Sequence, residues 1–186
     1  MSASKTEKGL AEHGESWHLV NSSLEKSITY FEYSVNRTAA ALDRWNAECL
    51  AVNTNLTATS TDNFLLNVIR MKDKPKTISE LARFLNRDDL ANIQYALRKL
   101  QKAGLIEKHG RSKRRGTSYK VTDKGSQVTD AFAEMRARLL MKMMPSFDEL
   151  QKQLETTEKM LAVMQGLYDQ ATGAVLLEYN SVIEQD

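Results

Sequence analysis

The stretch "TISELARFLNRDDLANIQYALRKLQKAGLIEKH", Thr77 to His109, sets the architecture of the chain. Thr77 and Glu80 form a T-x-x-E box, in which the threonine hydroxyl accepts from a backbone N–H three residues on and the glutamate reaches back. They open a short helix whose apolar side is Ile78, Leu81, Ala82 and Leu85. "NRDD" interrupts the pattern, and Asp88 or Asp89 can cap a second helix in which Leu90, Ile93, Leu97 and Leu100 share one face. Two short helices joined by a tight polar turn make a helix-turn-helix. Gly104 stops the second helix, Leu105 and Ile106 begin a strand, and "SYKV" at 118–121 returns as its partner. A helix-turn-helix followed at once by a two-stranded hairpin is a winged helix. The hairpin itself, "KHGRSKRRGTSYKVT" from Lys108 to Thr122, carries six Lys or Arg residues, and their purpose is the functional question.

Outward from this centre the chain reads as helix. Upstream, Leu24, Ile28, Phe31, Val35, Ala39, Leu42, Trp45, Cys49 and Val52 recur at steps of three and four between about Asn21 and Asn53, one long amphipathic helix. "TNLTATSTD" breaks it, and a further helix carries Phe64, Leu65, Val68 and Ile69, with Met71 at its end, before Pro75 turns the chain out of helical geometry. Downstream, Thr122 can cap a helix through Val128, Phe132, Met135, Leu139, Leu140 and Met143, interrupted at Pro145. A last helical stretch carries Phe147, Leu150, Leu154, Met160, Leu161, Met164, Leu167 and Tyr168, then Val175, Leu176, Tyr179 and Val182. The fold class expected is mainly α with a small β-hairpin wing. Its parts are a mobile N-terminal arm (1–16), an N-terminal dimerisation helix (17–60), a winged helix-turn-helix (61–125) and C-terminal dimerisation helices (126–186). The long helices carry more apolar stripe than a winged helix of this size can cover, which self-association would bury.

Composition bounds the function. The 186 residues hold eight Gly and two Pro, too few for a turn-rich all-β fold. No run of about 18 uncharged apolar residues suggests a membrane span, and the opening "MSASKTEKGLAEHGES" has no apolar core of a signal peptide, so a cytoplasmic, nucleoid-associated protein is expected. The lone Cys49 excludes an internal disulfide and any thiolate-rich metal site. The net charge of +2 hides an asymmetry: ten Lys or Arg against two acids from Arg98 to Lys124, two Lys against eight acids from Met144 to Asp186. A basic middle beside an acidic tail is expected where one face meets a polyanion.

At 100° per residue the side of the second helix opposite its leucines carries Ala91, Asn92, Tyr95, Arg98, Lys99 and Lys102, with Gln94 at the margin. Such a face suits the DNA major groove: Arg pairs with guanine O6 and N7, Asn or Gln with adenine, and Lys with phosphate. Arg114 and Arg115 at the wing tip suit a narrow minor groove, where the negative potential is concentrated. Arg111 and Lys113 add phosphate contacts and steepen salt dependence. Double-stranded DNA is therefore the expected partner. The same basic face would serve a non-specific or architectural DNA-binding protein, and a helical protein-interaction adaptor would use the winged helix only as scaffold. Against catalysis stand the scarcity of histidine (His13, His18 and His109) and the lack of HExxH, Walker-type or nucleophile-elbow motifs. Neither cofactor nor metal site is expected, Glu12, His13 and Glu15 in the arm being the only grouping that invites the thought.

"TISELARFL", "IQYALRKLQKAGLIEK" and the basic hairpin closing with "VTDKG" resemble MarR-family winged-helix transcriptional regulators across about residues 61–143. In that family the wing typically carries Asp-x-Arg before a strand that ends in Leu-Thr, with a Gly soon after. Aligned back from "VTDKG", the arginine falls on Arg115 and the aspartate on Lys113, so this wing departs from the pattern by being more cationic. The resemblance implies a homodimer built from the first and last helices, acting as a ligand-responsive repressor on a pseudo-palindromic operator. Some relatives bind small aromatic anions between dimer helices and winged domain. That implies a small aromatic effector, for which Trp17, Tyr30, Tyr33 and Trp45 are candidates, although aromatics at helical spacing more often form core or dimer interface. Others sense oxidants through a cysteine; Cys49 lies on the apolar stripe with no basic residue one turn away to lower its pKa, and reads as a packed, inert thiol. The segment after Pro145 is also similar to the C-terminal helices of PadR-type regulators, which keep their winged helix at the N-terminus, whereas about 60 residues precede it here.

Overall fold

A computed structural model of the chain describes residues 18–87, 89–112, 116–144 and 147–183. The chain divides after Met135 into two compact units. The first contains α1 (Ser23–Thr54), α2 (Ser60–Arg70), β1 (Lys76–Thr77), α3 (Ile78–Leu85), α4 (Leu90–Lys102), β2 (Ile106–Ser112), β3 (Gly116–Val121) and α5 (Asp123–Met135). The second contains α6 (Phe147–Ile183), preceded by a π-helical turn at Arg136–Leu140 and a 3-10 turn at Met141–Met143. The fold is mainly helical, with a small antiparallel sheet in the order β1-β3-β2.

Local chemistry explains the helix ends. Ser22 caps α1 through Glu25 N–H, and Asn55 ends it in the left-handed region, donating to Ala51 O at 2.9 Å. Thr59 and Asp62 form a full capping box on α2, and Thr77 and Glu80 form the expected one on α3. Asp89 caps α4 by accepting from Asn92 N–H at 3.2 Å; Asp88 lies outside the described residues. After α4, Gly104 adopts φ +73, Gly104 N–H donates to Gln101 O and Leu105 N–H to Leu100 O, both at 3.0 Å. This is a Schellman motif, which closes the helix carbonyls and turns the chain into β2.

Leu50 of α1, Leu65, Leu66 and Ile69 of α2, Leu81 of α3, Ile93, Leu97 and Leu100 of α4, Leu105, Ile106 of β2 and Tyr119 of β3 form one core, none more than 8% exposed. Full burial of each such leucine or isoleucine stabilises by about 1.5–3 kcal/mol. Polar groups inside it are paired: Asn63 of α2 donates to Asn46 of α1 at 3.2 Å, and Asn67 donates to Asn63 Oδ1 at 3.0 Å. Among the described residues no buried side-chain nitrogen or oxygen lacks a partner.

α5 is bolted to the end of α4. Thr122 N–H donates to Leu105 O at 3.1 Å, Thr122 Oγ1 donates to Gly104 O at 2.6 Å and accepts from Gly125 N–H at 3.0 Å, and Lys124 Nζ donates to Ala103 O at 2.9 Å. Gly125 is required by this closeness: a Cβ there would stand 2.0 Å from Leu105 O. "VTDKG" is therefore a docking motif for the C-terminus of α4.

Several details differ from the sequence expectation. The wing sheet gains a third strand, β1, whose Lys76 and Thr77 pair with Tyr119 and Ser118. Leu90, the first residue of α4, is 44% exposed, and Ala96 is buried beside Ile93, Leu97 and Leu100. On α2, Leu66 is buried while Phe64 is 40% exposed, as is Met71 just past the helix end. The helix after Thr122 keeps α geometry only to Met135, then changes to the π and 3-10 turns ahead of Pro145. The arm, with Trp17, lies outside the described residues.

Candidate nucleic-acid interface

α4 is fixed from behind by Ile93, Ala96, Leu97 and Leu100, so its opposite side is turned outward. On that side Ala91, Asn92, Gln94, Tyr95, Arg98 and Lys102 are all exposed, Tyr95 at 64%. Gln101, one turn beyond Arg98, is exposed with them. Asn92 is oriented by its own helix cap, donating through Nδ2 to Asp89. Lys99 behaves differently. Its Nζ is 2.6 Å from Asp62 Oδ2, and the two side chains are 22% and 2% exposed.

Tyr95, Arg98, Lys99 and Lys102 line an open cleft of about 580 Å³ with Ala103 and with Leu56 and Thr57 of the α1–α2 loop. On the other flank of the helix-turn-helix, Ser79, Ala82, Arg83, Asn86, Arg87 and Leu90 line a second cleft of about 410 Å³. Arg83 and Arg87 are exposed cations in and after α3, beside the N-terminal turn of α4. The sequence alone does not single them out, because helical periodicity draws attention to α4 and charge density draws it to the hairpin.

In the hairpin β2 and β3 pair from Ile106↔Val121 to Ser112↔Gly116, with an irregularity between Lys108 and Arg111 where Gly110 takes φ +138. Glu107 and Lys120 face each other across the strands and pair at 3.0 Å, while Lys108 and His109 are exposed and have no acidic partner in register among the described residues. Arg111 lies in β2, and Lys113, Arg114 and Arg115 lie outside the described residues. The paired strands thus lead from the core at Ile106 out to Ser112 and Gly116.

The other candidates are placed as follows. Cys49 is 2% exposed with its thiol 3.4 Å from Met135 Sδ; burial, and then the nearby Glu48, push the thiol pKa up. Tyr30 and Tyr33 are half exposed on α1, and Trp45 is partly buried. Among the described residues no group of three or more His, Cys, Asp or Glu side chains could hold a metal ion, and no helix is long and apolar enough to cross a membrane.

Comparison with known proteins agrees with this geometry. Residues 59–125 match the family described as Winged helix DNA-binding domain. No curated protein matches the sequence. Among solved structures, the transcriptional regulator BldR from Sulfolobus solfataricus is similar at 21% identity and a TM-score of 0.60, over 76% of this chain and 98% of that one. A MarR/EmrR family transcriptional regulator from Acinetobacter sp. ADP1 is similar at 16% identity and a TM-score of 0.61, over 76% and 96%. A MarR family transcriptional regulator from Streptomyces coelicolor, solved in complex with DNA, is similar at 18% identity and a TM-score of 0.56, over 76% and 87%. Capped helix-turn-helix, three-stranded wing and family match agree: residues 59–125 form a winged helix that matches the DNA-binding domain family, in a chain whose fold is similar to that of the MarR-family structures.

Proposed function

We propose that this chain is a sequence-specific transcriptional regulator that binds a pseudo-palindromic operator as a homodimer and represses until a small aromatic effector releases it. The observation that carries the reading is the outward face of α4, where Asn92, Gln94, Tyr95, Arg98 and Lys102 are exposed together and free of acids beyond the capping Asp89. Arg98 reads guanine, Asn92 and Gln94 read adenine, and Lys102 holds a phosphate. Arg111, Lys113, Arg114 and Arg115 extend contact into the adjacent minor groove and backbone. Arg83 and Arg87 hold the backbone on the other side of α4.

Residues 61–125 bind DNA in this reading, and residues 17–60 and 126–186 serve dimerisation. Leu24, Leu42 and Val52 on α1 are 53–68% exposed, and on α6 Val163, Val175, Leu176 and Leu177 are 57–73% exposed. A second copy would cover these side chains and set two α4 helices on successive major grooves, about 34–36 Å apart. Release by an effector is supported by the way α4 is tied to its neighbours, through Thr122 and Lys124 to α5 and through Lys99 to α2. A change in α5 or α2 therefore moves the reading head, and a coupling of about 1–3 kcal/mol would suffice for regulation.

Binding of the wild type and of Arg98→Ala to a pool of randomised duplexes tests the reading. The expected result is a symmetric preferred site, with Arg98→Ala relaxing preference at one position per half-site by about 10–100-fold. An equal loss for every sequence would favour an architectural DNA-binding protein, and no binding by the wild type would favour the protein-interaction adaptor.

A further inference from the structure

The contact between Asp62 and Lys99 joins the recognition helix to the start of α2 in a way that DNA contact alone does not require. Asp62 is 1% exposed, and its Oδ2 accepts from Thr59 N–H at 2.8 Å, Thr59 Oγ1 at 2.9 Å and Lys99 Nζ at 2.6 Å. The bond from Thr59 N–H belongs to the capping box and the hydroxyl bond adds to it, so the carboxylate is fixed relative to the α2 backbone. The next residue, Asn63, is held in turn by its buried bond to Asn46 of α1. Lys99 thus reaches an anchor that is itself immobile with respect to two other helices.

On α4, Lys99 stands one turn from both Tyr95 and Lys102, in the row that faces outward. A lysine that neutralised phosphate would extend from that row into solvent. This one is drawn back, leaving its side chain only 22% exposed. Along the body of α4 the remaining hold is apolar, through Ile93, Ala96, Leu97 and Leu100, and the bonds from Thr122 and Lys124 act only at its C-terminal end. Apolar burial is non-directional, whereas a charge-assisted hydrogen bond is short and directional and adds a fixed reference for the roll of the helix. A roll of about 20° carries a side chain at a radius of about 5–6 Å through roughly 2 Å, enough to lose a bond to a base edge.

Building on the DNA-reading function above, we propose that Lys99 is a positioning residue: its pairing with Asp62 sets the roll of α4 and hence its base preference, and Lys99 neutralises no phosphate. Asp62 is 1% exposed and does not itself face DNA; besides capping α2, its side chain reaches the recognition helix through Lys99.

Full-length wild type, Lys99→Met, Asp62→Asn and Lys102→Met are compared on the selected duplex and a scrambled duplex across a salt series, with folding of each checked by circular dichroism. The Asp62→Asn change keeps an acceptor for Thr59 while removing the charge that holds Lys99. For Lys99→Met and Asp62→Asn the ratio of specific to non-specific affinity should fall about tenfold or more with the salt slope unchanged. Lys102→Met should weaken both duplexes alike and lower the slope by about one. A slope lowered by about one in Lys99→Met with the ratio intact would overturn the proposal, as would a wild-type ratio in Asp62→Asn. Should Lys99→Met fail to fold, Asp62→Asn alone decides. A wild type without preference between the duplexes would remove the function reading and this proposal with it, a result read before any variant is compared.

Discussion

Replacing Gly125 with alanine puts the docking of α5 on α4 to a quantitative test. The added Cβ would lie 2.0 Å from Leu105 O, 3.0 Å from Leu105 C and 3.4 Å from Leu105 Cα. A carbon and a carbonyl oxygen rest at about 3.3–3.6 Å, so the first turn of α5 must retreat by about 1.3 Å. The obstacle is backbone and cannot be relieved by a rotamer change. Retreat lengthens three bonds at once: Thr122 N–H to Leu105 O at 3.1 Å, Thr122 Oγ1 to Gly104 O at 2.6 Å, and Lys124 Nζ to Ala103 O at 2.9 Å. Overpacking costs about 1–3 kcal/mol and each weakened bond up to about 1 kcal/mol, while alanine's better helix propensity returns about 1 kcal/mol. The net destabilisation expected is about 3 kcal/mol. In urea unfolding at fixed protein concentration, with a slope of about 2 kcal/mol/M, the midpoint should fall by about 1.5 M. A midpoint within experimental error of the wild type would refute the close approach that gives "VTDKG" its docking role.

Other effects are expected elsewhere in the fold. Leu97→Ala removes a side chain that is 1% exposed at the centre of the core and should cost about 2–5 kcal/mol in the same unfolding assay. Thr77→Ala loses the α3 capping box and should cost about 1 kcal/mol. The Thr77 backbone N–H, and then its hydroxyl, hold the Glu80 carboxyl below its ordinary pKa. A carboxylate depressed in the folded state stabilises fully above its unfolded pKa and loses that contribution as pH falls through the folded value. Glu80→Gln should therefore flatten the acid limb of a melting temperature against pH curve, leaving its neutral region nearly parallel to wild type. Cys49, buried and with its thiol pKa raised, should react slowly with a thiol reagent until urea unfolds the chain.

How much of the fold can be read from the sequence depends on the range of the signal. The capping box at Thr77 and Glu80, the break at Gly104 and the leucine spacing of α4 act within a few residues, and each is where local rules put it. β1 is two residues long and exists only through pairing with β3 some 40 residues later, so no periodicity announces it. "TSTD" reads as a break because Thr59 and Asp62 are polar, although the same spacing is a capping box with aspartate in place of glutamate. Arg136–Met143 has helical composition, and nothing in it announces the change to π and 3-10 geometry. The outward face of α4 follows from counting 100° per residue, but the departure of Lys99 from that face depends on a carboxylate 37 residues upstream. Exposure and charge can be inferred from period and composition; the partner of a given charge is a tertiary fact.

Everything proposed for the function turns on whether the winged helix reads a specific duplex as half of a dimer. The decisive experiment is affinity selection of fragmented genomic DNA by the purified protein at about 0.15 M salt, followed by sequencing, with an Arg114→Ala, Arg115→Ala variant in parallel. The expected product is an enriched pseudo-palindrome with half-sites about 10 base pairs apart, weakened or lost in the variant. Recovery of fragments without a shared motif, at equal strength for both proteins, would mean that the winged helix does not read sequence.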